Sequence, residues 1–155
     1  MTESDSVKDH GTASADRPLR IASTLRGDDD DIARARHLSV DFLARVRTEH
    51  GLDVSRRAVD LTRLVVSELV TNVRKYAPGP ASLDLRIDGD AVEITVWDRD
   101  PVLPVARAAD IGRVGQHGLE IVMAVARSFE ARREPVGKRI IVTLALTDDP
   151  GDALV

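Results

Sequence analysis

A chain of 155 residues that is 43% hydrophobic and 31% charged has the size and balance of one globular domain, and aromatics at 3% leave its core to Leu, Val, Ile and Ala. A net charge of −4 supplies no basic field for direct nucleic-acid binding, and the lack of cysteine excludes disulfides and thiolate metal sites and fits a reducing compartment. His10, His37, His50 and His117 show no metal-ligand spacing, and neither a signal region nor the roughly 18 apolar residues of a membrane span occurs, so a cytoplasmic protein is expected.

Residues 1–17 carry almost no large apolar side chain and predict a disordered tail. Leu19, Ile21, Ser23 and Leu25 alternate as in a first strand over 18–25. Asp28 to Asp31 then stand where a helix start favours negative charge, and read as a solvated cap rather than a metal site. Ile32, Ala35, Leu38, Phe42 and Val46 recur at helical spacing up to Gly51. A second helix runs from Asp53 or Ser55 to Ala77 and stops at "PGP". Leu83, Leu85 and Ile87, the turn Asp88-Gly89, and Val92, Ile94 and Val96 predict a β-hairpin. A loop over 99–117 leads to a short helix over 118–129, with Leu119, Val122, Met123 and Ala126 on one stripe. Two strands around Pro135-Val136-Gly137 close the domain, and 148–155 form a flexible polar tail. The order predicts an α+β two-layer sandwich over 18–147, with helices on one face of a mixed sheet.

The second helix poses a question. Steps of about 100° per residue put Leu61, Leu64, Val65, Leu69 and Tyr76 on one arc, with Glu68 and Asn72 in its middle and Arg63 and Arg74 opposite. A buried carboxylate is costly unless paired or wet. Two arrangements meet that cost. Either Glu68 bonds Asn72 or a buried arginine, or both face a ligand cavity. In a cavity an amide oxygen helps ligate Mg²⁺, and a carboxylate one turn away serves as general base.

Asp98 has the parity of Val92, Ile94 and Val96, so a regular strand points it toward the helices, able to accept from an amino group. The alternative is that Asp98 opens a turn, since "WDRDP" is rich in turn formers. Gly112, Gly115 and Gly118 lead into a helix whose backbone N–H groups suit phosphate. His117 is a polar loop residue or a phosphate contact, and Lys138 reads as a solvated strand lysine. Neither a P-loop nor a GxGxxG fingerprint occurs, and no nucleophile elbow or Cys-His arrangement supports hydrolase chemistry.

"SELVTNVRKYA", "VWDRDP" and "GQHGLEIV", followed by "GKRIIVTLAL", resemble the ATP-binding domain of the GHKL superfamily over residues 18–146. That superfamily joins gyrase-type ATPases, ninety-kilodalton chaperones and sensor histidine kinases. The chain is most similar to stand-alone anti-sigma-factor serine/threonine kinases of the actinobacterial regulatory type. The resemblance implies the superfamily's left-handed two-layer sandwich. It implies that Asn72 holds Mg²⁺ against the triphosphate of ATP, that Glu68 is the catalytic base, and that Asp98 accepts the adenine amino group. Gly115, Gln116, His117, Gly118 and Leu119 would form the phosphate-covering lid and helix start. The implied partners are a STAS-domain anti-anti-sigma protein, phosphorylated on Ser or Thr, and a sigma factor; such kinases commonly form homodimers.

Two motifs depart from the pattern. The D-x-G-x-G box is "DRDPV", without glycine, and the lid "GQHGL" lacks the arginine of G-R-G-L. Both departures also suit a non-catalytic module whose nucleotide sets a partner-binding shape. A detached histidine-kinase domain would need a phosphoacceptor histidine on a helical hairpin. His37, in "RARHLSVDF", has no such hairpin around it.

Overall fold

The structure is a computed structural model that describes residues 19–103 and 117–148. The tail over 1–17, the greater part of the 99–117 loop and residues 149–155 lie outside the described residues. In chain order the elements are β1 (Arg20–Leu25), α1 (Asp31–His50), α2 (Arg56–Tyr76), β2 (Ala81–Asp88), β3 (Ala91–Asp98), α3 (His117–Val125), β4 (Ser128–Arg133) and β5 (Lys138–Ala145). Helix α1 stops where Gly51 turns left-handed, at φ 68°, and its N–H reaches the Val46 carbonyl. Helix α2 starts at Ser55, whose hydroxyl accepts the Ala58 N–H at 3.0 Å and satisfies one of the open donors of the first turn.

The five strands order as β1-β2-β3-β5-β4. The fold class is the expected α+β sandwich, but the sheet is antiparallel at every pairing rather than mixed. The topology explains the difference. Strands β3 and β4 run in the same direction, because α3 carries the chain back along the sheet between them. Strand β5 inserts between the two and runs against both, so no parallel neighbours meet.

Period-two alternation separates the two faces of the sheet. Leu83, Leu85 and Ile87, Val92, Ile94 and Val96, and Ile140, Val142 and Leu144 are buried together with Phe42, Leu43 and Val46 of α1 and Val65, Val66 and Leu69 of α2. Each such side chain contributes about 1.5–3 kcal/mol on full burial. The other face is charged and more exposed, with Arg20 bridging Asp84 at 2.7 Å and Arg86 bridging Glu93 at 3.1 Å.

Two local expectations need correction. Helix α3 ends at Val125, four residues before the expected Phe129, because the Arg127 N–H pairs with the Thr143 carbonyl at 2.7 Å and draws the chain into β4. The aspartate run is not uniformly solvated either. Asp31 is buried and accepts the N–H groups of Arg26 at 3.0 Å and Gly27 at 2.7 Å, so it anchors the β1–α1 turn to the helix. Its carboxylate also meets the Arg34 guanidinium.

Candidate functional site

One end of the sheet collects the residues in question. Helix α2 runs out at Tyr76 and a link of four residues leads to β2, whose start pairs with the end of β3, Ser82 opposite Trp97. Asn72, one turn from the end of α2, therefore lies at the same end as Asp98. Strand β5 begins there too, with Lys138 paired to Asp98 in register. The N-terminal turn of α3 lies at this end as well, with Gly118 against Glu68.

Helix α2 buries Ala58, Thr62, Val65, Val66, Leu69, Val70, Asn72 and Val73. That arc is turned by roughly 70° from the expected one of Leu61, Leu64, Val65, Leu69 and Tyr76, taking 100° per residue, and Leu61 and Leu64 are only half-buried. Packing of α1 along α2 gives the extra flank. As a result Asn72 is buried, at 6% exposure, while Glu68 sits at the margin, half-buried, rather than in the middle.

Glu68 and Asn72 line a cavity of about 80 Å³ with Thr71, Lys75, Gly118 and Leu119. Among the described residues neither side chain has a hydrogen-bond partner, so the internally satisfied pair is not formed. The Glu68 carboxylate lies directly against Gly118, in the first turn of α3. Unbonded N–H groups of that turn give it positive character, which favours a carboxylate or a phosphate beside it. Leu119, 7% exposed, anchors the turn in the core.

Asp98 points inward, as its parity predicts, and also opens a turn. Both arrangements hold at once: Oδ1 accepts the Asp100 N–H at 2.9 Å while the side chain is 1% exposed. Lys138 pairs with it, Nζ donating to Asp98 Oδ1 at 2.9 Å and to the Asp100 carbonyl at 3.1 Å. Lys138 is 1% exposed and is not a solvated strand lysine. The signal was available, since Lys138 has the parity of buried Ile140, Val142 and Leu144. A lysine there needs a carboxylate, and Asp98 is the partner in register.

Gly115, Gln116 and the side chain of His117 lie outside the described residues. A larger cavity, about 450 Å³, opens at the opposite end of the sheet beside Arg57, Leu61, Asp90 and Arg127. It contains none of the candidate site residues Glu68, Asn72, Asp98, Gly118 and Leu119.

A small polar cavity beside a helix N-terminus and an inward carboxylate at a strand end thus share one end of an α+β sandwich. Residues 25–144 match the histidine kinase-like ATPase domain. The chain belongs to that family of ATP-binding domains. No curated protein matches it in sequence. Among the described residues no helix is long and apolar enough to cross a membrane.

The residues fit the ligands that the family implies. Asn72 presents an amide with no protein partner among the described residues, beside Glu68 and the Lys75 ammonium, in a cavity of about 80 Å³. At roughly 30 Å³ per water that volume holds two or three waters, room for a cation with part of its hydration shell or for one phosphoryl group.

Proposed function

We propose that this chain is an ATP-dependent serine/threonine-protein kinase of the anti-sigma type, acting on a STAS-domain anti-anti-sigma protein and thereby controlling a sigma factor. The observation that carries the reading is that Glu68 and Asn72, at the N-terminus of α3, have no side-chain hydrogen-bond partner among the described residues. An acid and an amide left without protein partners at a helix start suit phosphoryl transfer better than structural support.

Each residue has one role in this reading. The Asn72 amide oxygen would hold Mg²⁺, whose charge offsets that of the phosphates. Among the described residues no cluster of three His, Asp or Glu side chains could bind a metal unaided, so the triphosphate would supply the remaining ligands, as is usual for Mg²⁺. Gly118 and the first turn of α3 would direct N–H groups at the phosphates, with Gly115, Gln116 and His117 covering them. Asp98 would accept the adenine amino group. Glu68 would take the proton from the partner's serine or threonine hydroxyl as that oxygen bonds the γ-phosphorus and the bond to ADP breaks.

The glycine-free "DRDPV" box favours a second reading, in which nucleotide only shapes a binding surface. Calorimetry with ATP, ADP and GTP, with and without Mg²⁺, followed by transfer of label to a STAS protein, separates the two. The kinase reading expects Mg²⁺-dependent ATP binding that Asn72→Ala abolishes, and Glu68→Ala that binds ATP but transfers nothing. Binding without transfer to any STAS protein would leave the binding module. Transfer unchanged in Glu68→Ala would remove the assigned base.

A further inference from the structure

Helices α2 and α3 meet through a carboxylate and a glycine. Glu68 Oε1 fills the place that a Cβ on Gly118 would take, with its Cδ 3.1 Å from that place. Gly118 stands in the first turn of α3, where N–H groups have no partner within the helix and favour negative charge beside them. The Glu68 carboxylate thus lies where the helix start also suits a phosphate. Asn72, one turn further along α2 and buried, lines the same cavity, and among the described residues its amide has no hydrogen-bond partner. The described lining holds two charged side chains, Glu68 and Lys75, whose signs are opposite. It therefore offers no excess of positive charge to a polyanion. Glu68 is half-buried and Lys75 exposed, so water screens the lysine more than the carboxylate.

We propose that Glu68 is a specificity-determining residue for the charge of the nucleotide: it disfavours free ATP and leaves ATP complexed with Mg²⁺ as the form that binds. The inference rests on the reading that the triphosphate meets the start of α3. A carboxylate and a phosphate are both acceptors of the same sign, and they compete for the same N–H groups. Like charges about 4 Å apart at a protein surface repel by more than the energy of one decade in affinity. With Mg²⁺ on the phosphates their charge is largely offset, and this repulsion falls. Asn72 supplies an uncharged oxygen that suits Mg²⁺ and adds no repulsion of its own. Glu68 thus acts before the proton transfer assigned to it, by making nucleotide binding depend on the metal.

The test is calorimetry on the full chain, with ATP in excess Mg²⁺ and with ATP in a chelator, for wild type and Glu68→Gln. Glutamine keeps the size of the side chain and removes its charge. Glu68→Gln should bind metal-free ATP about tenfold tighter than the wild type and the Mg²⁺ complex within about threefold of it, so that the metal dependence contracts by about a decade. Adenosine carries no phosphate and should bind both proteins alike. Added salt should narrow the metal-free difference. Glu68→Ala is the second variant, should the glutamine amide bond to α3 itself, and the same contraction is expected. A wild-type metal dependence in both folded variants would overturn the inference and leave the ATP site in place. Contraction through weaker binding of the Mg²⁺ complex alone would also overturn it, since Glu68 would then be a metal ligand. Failure of wild type and variants alike to bind ATP under either condition would instead remove the underlying reading.

Discussion

A Cβ on Gly118 would fall on the Glu68 carboxylate, 3.1 Å from its Cδ. The start of α3 and the inner edge of α2 meet here with no side chain between them. The atom that would be displaced is the far end of a flexible side chain, not backbone. Gly118→Ala should therefore leave the fold intact, and alanine in a helix is worth up to about 1 kcal/mol over glycine. The carboxylate should swing out of place. We expect an unchanged or higher melting temperature, retained ATP binding, and phosphoryl transfer reduced on the order of 10²-fold, the lower range for a general base. Full transfer in a stable Gly118→Ala protein would show that Glu68 does not act from its observed position.

Asp31 offers a test of the β1–α1 turn. Its two oxygens receive the N–H groups of Arg26 and Gly27, one each, in a buried setting. Asp31→Asn presents an NH₂ to one of those donors and leaves it unmet, a loss of about 1–3 kcal/mol. Asp31→Ala should lose more. Urea unfolding reads both, as a lower midpoint at unchanged slope. Equal midpoints for wild type and Asp31→Asn would mean that solvent satisfies these donors.

Alternation in β2 and β3 and the Asp88-Gly89 turn place the hairpin correctly, because a half-buried strand has a period that only one register fits. The inward course of Asp98 follows from the same parity. Helix α2 is harder, since its long side chains Leu61 and Leu64 suggest a buried arc that packing by α1 shifts toward Val66, Val70 and Val73. Tertiary contact, not local pattern, moves Glu68 to the margin. The end of α3 is set by the pairing of Arg127 and Ser128 with Thr143, a partner distant in sequence. Asp31 and Lys138 were misread for a shared reason: a charged side chain is normally solvated, and only the fold reveals the N–H pair or the carboxylate that lets it be buried.

At the far end of the sheet, Arg127 donates to Asp90 at 2.8 and 3.3 Å. The hydrogen bond, followed by the guanidinium charge, holds the Asp90 carboxyl below its ordinary value. A pKa depressed in the folded state adds stability above the ordinary aspartate range, and this is lost as pH falls through the folded value. Wild type should therefore exceed Asp90→Asn in urea midpoint near neutral pH, with the gap closing in acid. Added salt should shrink it at neutral pH, as the pair is exposed. A gap that persists in acid would trace to packing or backbone effects at the β2–β3 turn rather than to the charge.

Thr62 gives a prediction of opposite sign. Its side chain is wholly buried on α2, and among the described residues its hydroxyl has no hydrogen-bond partner. A buried hydroxyl without a partner costs about 1–3 kcal/mol, whereas burial of its methyl is favourable. Valine has the same shape and a similar helix propensity. Thr62→Val should therefore stabilise the protein by roughly 1 kcal/mol, a rise of about 3 °C in melting temperature for a domain of this size. Thr62→Ser keeps the hydroxyl and removes the methyl, and should lose about 1 kcal/mol, as deletion of one buried methyl commonly does. The pair of variants separates the two contributions, because a hydroxyl that is in fact bonded would make Thr62→Val destabilising as well. Thr62 lies more than two turns of α2 before Asn72, so both variants should bind ATP as the wild type does.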